Sequence, residues 1–178
     1  MLVIDTKFKG LKIIQQKKHS DPRGNLRETY IKKIIKWDNL IFDYATTSKK
    51  NVLRGFHFNT KFPQAKFVTV LKGKILDCVI DLRKKSKTFG RVFSIILSEK
   101  NCKSLYIPEG FAHAYYSYEK TNLIYYRLSN YYQPKYENGI IWNDKNIKFK
   151  WPIKKPILAK RDIQWDTFIN FKKKYKGF

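Results

Sequence analysis

Apolar positions along this chain gather in short bursts, and the spacing inside each burst predicts the element it forms. From Val52 onward the bursts are rich in branched and aromatic residues: Val52–Phe58, Phe67–Leu71, Ile75–Leu82, Arg91–Leu97, Ser104–Ile107, His113–Tyr118 and Leu123–Ser129. Runs of that length and composition predict strands. Turn chemistry separates them: Lys72-Gly73 suits a tight hairpin, Lys85–Gly90 a longer loop, and Pro108-Glu109-Gly110 a further turn. Ahead of these, Leu2–Ile4 and Leu11–Ile14 predict two short strands, and Ser20–Asn25, with Pro22, Gly24 and Asn25, predicts a turn. Tyr30–Leu40 places Ile31, Ile34, Ile35 and Leu40 at helical spacing, which predicts a surface helix of about three turns. The end of the chain, Asp166–Phe178, reads as a short helix or a frayed tail. So many short strands beside so little helix predict an all-β antiparallel sandwich or jelly roll with a few short peripheral helices. At 178 residues it is expected to form a single domain over residues 1–178.

Composition narrows the setting. With 43% hydrophobic and 16% aromatic residues the chain has enough apolar surface to fold despite its charge. No apolar run approaches the roughly 18 residues of a membrane span. Asp5, Lys7 and Lys9 stand where a secretory leader would be apolar, so a cytoplasmic protein is expected, without a membrane partner. Cys78 and Cys102 lack metal-site spacing and read as buried thiols. The net charge of +24 raises the question of nucleic acid. Lysines supply most of it and are scattered through every segment, so we read a solvated basic surface with no nucleic-acid partner. Such a surface attracts small anionic substrates such as nucleotide diphosphates.

The stretch Asn51–Arg83 concentrates the candidate chemistry. His57 is one of three histidines, set in a strand-like run after Arg54 and Gly55, and Lys66 opens the next run. An imidazole and an ammonium projecting from neighbouring strands onto one sheet face would make a proton-transfer site. In a regular strand Arg54 and His57 face opposite ways, but the intervening glycine is suited to a bulge. A second stretch, Ile107–His113, has the spacing P-x-G-x-x-H, which resembles the second motif of the cupin jelly rolls. Where a cupin's first motif offers H-x-H for metal, this chain reads His57-Phe58-Asn59, and Asn59 is expected to contact substrate instead. His57, His113 and Asp77 are the residues that would have to converge on a metal, and with one ligand missing we expect none. His113 reads equally as a hydrogen-bonded core histidine or as a substrate contact.

Taken together, Asp21-x-Arg23-Gly24, Val52–Phe58, Gln64-Ala65-Lys66, Asp81-Leu82-Arg83 with Ser86-x-Thr88-Phe89-Gly90, Ile107–His113, Tyr126, Tyr131-Tyr132, Trp142-Asn143-Asp144, Trp151-Pro152 and Asp162 resemble, in order and over nearly the whole chain, the dTDP-4-dehydrorhamnose 3,5-epimerase family. The resemblance implies a cupin-like jelly roll and an isomerase acting on a nucleotide-linked 4-keto-6-deoxy sugar. The ketone acidifies the hydrogens on C3 and C5, so a base removes one and an acid returns a proton to the other face, with no cofactor. By resemblance His57 is the base. Imidazole suits that task, since its ordinary pKa of about 6.5 leaves much of it neutral. Asp162 is the carboxylate paired with the base, Tyr126 the acid, and Lys66 the cation near the enolate oxygen. Arg54 contacts diphosphate or sugar, and Tyr132 lies near the nucleobase. Arg23 and Glu28 correspond to residues donated by a partner subunit through an exchanged N-terminal strand, which implies a homodimer. The family's polar run before the first motif is here Phe42-Asp43-Tyr44-Ala45-Thr46-Thr47-Ser48, with aromatics replacing two polar contacts. That departure leaves open the nucleotide, the sugar, and whether one carbon or two is inverted. A non-catalytic sugar-nucleotide or polyanion binder is the rival from another class, and the presence of His57, Tyr126 and Asp162 speaks against it.

Overall fold

The computed structural model describes residues 1–36, 39–175 and 178. It contains strands β1 (Leu2–Asp5), β2 (Lys12–Gln15), β3 (Lys18–Asp21), β4 (Gly24–Arg27), β5 (Phe42–Lys49), β6 (Leu53–Asn59), β7 (Lys66–Lys72), β8 (Lys74–Asp81), β9 (Val92–Ser98), β10 (Lys103–Ile107), β11 (Phe111–Ser117), β12 (Thr121–Leu128) and β13 (Glu137–Gly139). A six-stranded sheet runs β1-β2-β10-β7-β12-β5, and a five-stranded sheet runs β13-β6-β11-β8-β9. Every strand pairing is antiparallel, and β3 and β4 form a separate hairpin. The two sheets make an antiparallel jelly roll. Among the described residues, helix is confined to two 3-10 turns, Pro134–Tyr136 and Lys160–Ile163, and to α1, Phe168–Lys174. The α1 helix settles the end of the chain in favour of a helix over 168–174. Among the described residues no helix is long and apolar enough to cross a membrane.

Strand periodicity builds three apolar layers. Side chains alternate faces along a strand, so β8 sends Ile75 and Val79 between the sheets and Cys78 and Ile80 outward. In β11, Phe111 and Tyr115 point inward, and Ala112, Ala114 and Tyr116 outward. Both faces of these strands are covered, which is why they read as almost unbroken apolar runs. The outer layer over the five-stranded sheet is completed by Trp151, Phe168 and Phe171 from the C-terminal segment. Cys78 and Cys102 are buried free thiols.

The helix expected over Tyr30–Leu40 does not form among the described residues; Trp37 and Asp38 lie outside them. A single turn is closed by the Ile34 and Ile35 amides donating to the Ile31 carbonyl at 3.0 and 2.9 Å. Ile35 and Leu40 pack on Ile14, Phe67 and Tyr106 over the outer face of the six-stranded sheet. The apolar spacing therefore serves a strap laid across a sheet. The β-branched Ile31, Ile34 and Ile35 give a helix little intrinsic support there.

At the end of β8 the buried Asp81 carboxylate organises the following loop. It accepts from the Arg83 backbone N at 3.0 Å, from Arg83 Nε and Nη2 at 2.8 Å, and from the Ser86 and Thr88 hydroxyls at 2.6 Å. The Arg83 guanidinium lies 4.4 Å from the centre of the Phe111 ring. Asp81→Ala strands several donors at once. We expect a loss of roughly 2–4 kcal/mol, or about 5–15 °C in Tm, by thermal unfolding followed by circular dichroism. Burial opposes the charged form, but the bonds from Arg83, Ser86 and Thr88 outweigh it and hold the Asp81 carboxyl below the usual carboxylate range. The resulting stabilisation is fully present above the unfolded value near 4 and is lost as pH falls through the lower folded value. The substitution should flatten that acid limb of the stability profile.

Candidate active site

One end of the space between the sheets is open and forms a cavity of about 320 Å³. Inward-facing positions of both sheets meet there: Tyr44 on β5, Lys66 on β7 and Tyr126 on β12 from one, Arg54 and His57 on β6 and His113 on β11 from the other. The expectation that His57 and Lys66 share a sheet face is corrected. β6 pairs with β11 and β13, whereas β7 belongs to the opposite sheet, so the ammonium faces the imidazole across the cavity.

A bulge on β6 brings Arg54 and His57 to the same side. Opposite them, His113 pairs with His57 and Tyr115 with Arg54, so three steps on β6 match two on β11, and the extra residue turns both side chains inward. Gly55 makes this fit. Its φ is +117°, and a Cβ there would lie 2.4 Å from the His113 carbonyl oxygen, which excludes any larger residue.

His57 is clasped by its surroundings. Its Nε2 lies 2.6 Å from Asp162 Oδ1, on the 3-10 turn Lys160–Ile163. The same oxygen accepts from Trp165 Nε1 at 3.1 Å, and Asp162 is 1% exposed. Burial works against its charge, but the hydrogen bond and charge of His57, the Trp165 bond and the Arg161 guanidinium together hold its carboxyl below the usual range. An ionised carboxylate only accepts, so Nε2 must donate, and neutral His57 then carries its lone pair on Nδ1. That nitrogen is free to accept a proton. It lies 3.6 Å from Glu137 Oε1.

Tyr126, 3% exposed, comes from the opposite sheet and stacks on Tyr44 with ring centres 4.7 Å apart. Burial first, then the neighbouring Tyr115, Tyr44 and Asp77, push its phenol well above the ordinary value, against a smaller effect of Arg54. It stays protonated and able to donate. Burial lowers the Lys66 ammonium, against the pull of Glu137 and Asp77. Arg54 Nε donates to Ser48 Oγ at 3.2 Å, and that oxygen is 2.9 Å from the Tyr115 hydroxyl. An imidazole and a protonated phenol thus face one cavity from opposite sheets, with two cations beside it.

A family model for dTDP-4-dehydrorhamnose 3,5-epimerase matches residues 5–170. The chain belongs to the dTDP-4-dehydrorhamnose 3,5-epimerase family. It is 37% identical over 169 residues to the dTDP-4-dehydrorhamnose 3,5-epimerase of Salmonella typhimurium, covering 91% of this chain and 92% of that one. The archaeal protein of that name from Methanothermobacter thermautotrophicus is 35% identical over 169 residues, 91% of each chain. Among solved structures, the dTDP-6-deoxy-D-glucose-3,5-epimerase of Legionella pneumophila in complex with dTDP-4-keto-L-rhamnose superposes with a TM-score of 0.89 at 32% identity, covering 93% of this chain and 92% of that one.

Against that family frame, the fold assembles most of the residues expected from sequence. His57, Asn59, Lys66, Arg54, His113, Tyr126 and Tyr132 all line the cavity, and Asp162 stands behind His57. His113 is both core and site: it is buried, and its Nε2 lies 2.9 Å from Asp77. His57 and His113 are therefore engaged with different carboxylates, and the two histidines do not converge with Asp77. Among the described residues no group of three His, Cys, Asp or Glu side chains is arranged to hold a metal. Arg23 and Glu28 are not brought to this cavity. Arg23 sits at the tip of the β3–β4 hairpin with its side chain 90% exposed, bonded to Asp21. Sequence reasoning missed Glu137 and Arg161, which line the rim. No pattern around them marks either, because the contact that matters joins positions far apart in the chain.

Proposed function

We propose that this epimerase-family chain inverts C3 and C5 of a nucleotide-linked 4-keto-6-deoxy sugar, most simply dTDP-4-dehydro-6-deoxyglucose. The observation that carries the reading is the His57–Asp162 pair on the five-stranded side facing Tyr126 on the six-stranded side of one cavity. His57 Nδ1 takes the proton from the carbon beside the ketone, and the C–H electron pair moves onto the ketone oxygen as an enolate. Lys66 supports that developing charge. Tyr126 then returns a proton to the opposite face, and the configuration inverts. Electrons and atoms balance without a cofactor. Arg54, its Nε already fixed by Ser48, offers the rest of its fork to the diphosphate. Tyr132 and Phe42 give the nucleobase an aromatic rim.

Arg23 and Glu28 lie outside their own cavity, on or beside an exposed hairpin, which fits their donation to the cavity of a partner in a homodimer. The test is incubation with dTDP-4-dehydro-6-deoxyglucose in heavy water, followed by NMR. Solvent deuterium at both C3 and C5 is expected. Deuterium at one carbon would reassign the chain as a monoepimerase, and none at either would overturn the reading.

A further inference from the structure

Inverting two carbons with one base and one acid poses a problem of resetting. After the first inversion His57 holds the proton it removed, and Tyr126 has given its own away. Before the second carbon can react, one proton must leave His57 and another must reach Tyr126. Asp162 offers no route out. It is almost fully buried, and its Oδ1 is occupied by His57 Nε2 and Trp165 Nε1.

The other ring nitrogen faces a different carboxylate. Glu137 Oε1 lies 3.6 Å from His57 Nδ1, so an approach of roughly 0.7 Å gives an ordinary hydrogen bond. Its second oxygen is anchored: Oε2 accepts from Arg161 Nη1 at 2.6 Å and from the Tyr132 hydroxyl at 2.8 Å. One oxygen is thereby held at the rim while the other is turned toward the imidazole. Glu137 is 11% exposed at its side chain, and its partners Arg161 and Tyr132 are each nearly half exposed. His57 itself is 16% exposed and lines the cavity, so a bound sugar would cover it and leave the carboxylate as its link to water.

We infer that Glu137 is the proton exit of the base, taking the proton from His57 Nδ1 and passing it to solvent while the sugar stays bound. The transfer breaks the Nδ1–H bond, forms an O–H bond on Oε1 and restores the Nδ1 lone pair. The acid then loses its proton to water at the rim, and Tyr126 regains one from solvent. One proton leaves and one enters for each carbon inverted. This role rests on the epimerase reading above and adds a positioning and relay residue to it. Glu137 does not touch the reacting carbon in this scheme.

The consequence is a change in product ratio rather than a uniform loss of rate. Glu137→Gln keeps the shape and the bonds to Arg161 and Tyr132 but cannot accept the proton. With dTDP-4-dehydro-6-deoxyglucose in heavy water, the variant should slow labelling of the second carbon more than labelling of the first. The ratio of singly to doubly inverted product should rise at least tenfold. Glu137→Asp, which keeps a carboxylate, should return the ratio toward that of the unaltered protein. Arg161→Gln, which removes the anchor and leaves the carboxylate, should give a smaller shift than Glu137→Gln. Equal slowing at both carbons with an unchanged ratio, complete loss at both, or the same shift from Arg161→Gln would each overturn the inference. If the unaltered protein itself labels neither carbon, the epimerase reading fails first, and the two failures are thereby told apart.

Discussion

His57→Ala is expected to lower kcat/KM for sugar inversion by about 10⁴, a rise of roughly 5.5 kcal/mol in the barrier. The magnitude follows from geometry. Nδ1 of His57 is the lone pair that the buried Asp162 leaves open, and alanine leaves the C–H bond facing a void. Asp162→Asn is the sharper variant, since the amide keeps the volume but can donate where the carboxylate only accepts. A donating amide favours the tautomer with its lone pair on Nε2 and the proton on Nδ1, the wrong arrangement for proton abstraction. A loss of about 10²–10³ is expected there, with KM changed less than kcat. Because its environment holds the Asp162 carboxyl low, protonation of Asp162 should not shape the acid limb between pH 5 and 8. Steady-state kinetics across that range, with circular dichroism to show that both variants fold, checks each step. Inversion by His57→Ala within tenfold of the unaltered rate would remove His57 as the base.

Much of the fold was legible because strand periodicity survives wherever one face or both are buried. β8 and β11 are covered on both sides and read as continuous apolar runs with sharp ends. β5 was less visible. Its inward positions Phe42, Tyr44, Thr46 and Ser48 turn polar partway along, because they line a cavity and a hydrogen-bond network rather than a core. The Tyr30–Leu40 segment misled for the opposite reason. Its apolar spacing is real, but tertiary packing against Ile14 and Phe67 uses it without a helix. At the site, the glycine between Arg54 and His57 announced an irregularity, and the bulge it supports decides that both side chains face inward. Which sheet carries Lys66 depends on topology that no local pattern encodes. Asp162 was visible only through family resemblance, and Glu137 not at all. Asp162 reaches His57 from a short 3-10 turn and Glu137 from the three-residue edge strand β13 paired with β6, placements that no local pattern encodes.

Tyr126→Phe should separate proton exchange from inversion, the second large effect expected of this site. His57 can still remove the proton in the variant, exchange it with solvent and return deuterium to the face it came from. Label should therefore appear with retention of configuration, while inverted product falls by about 10²–10⁴, the range for a general acid. A tyrosine that merely packs the core would slow both outcomes together. The fold should hold, because phenylalanine keeps the ring that stacks on Tyr44 and packs with Val68, Ile124 and Leu128. A Tm shift of only a few degrees is expected. The phenol is pushed well above its ordinary value by burial and by its tyrosine and aspartate neighbours, so Tyr126 remains protonated through pH 9 and deprotonation of this acid should not limit turnover there. Retained inversion in Tyr126→Phe would move the acid elsewhere in the cavity, with Tyr44, stacked beside it, the next phenol to replace.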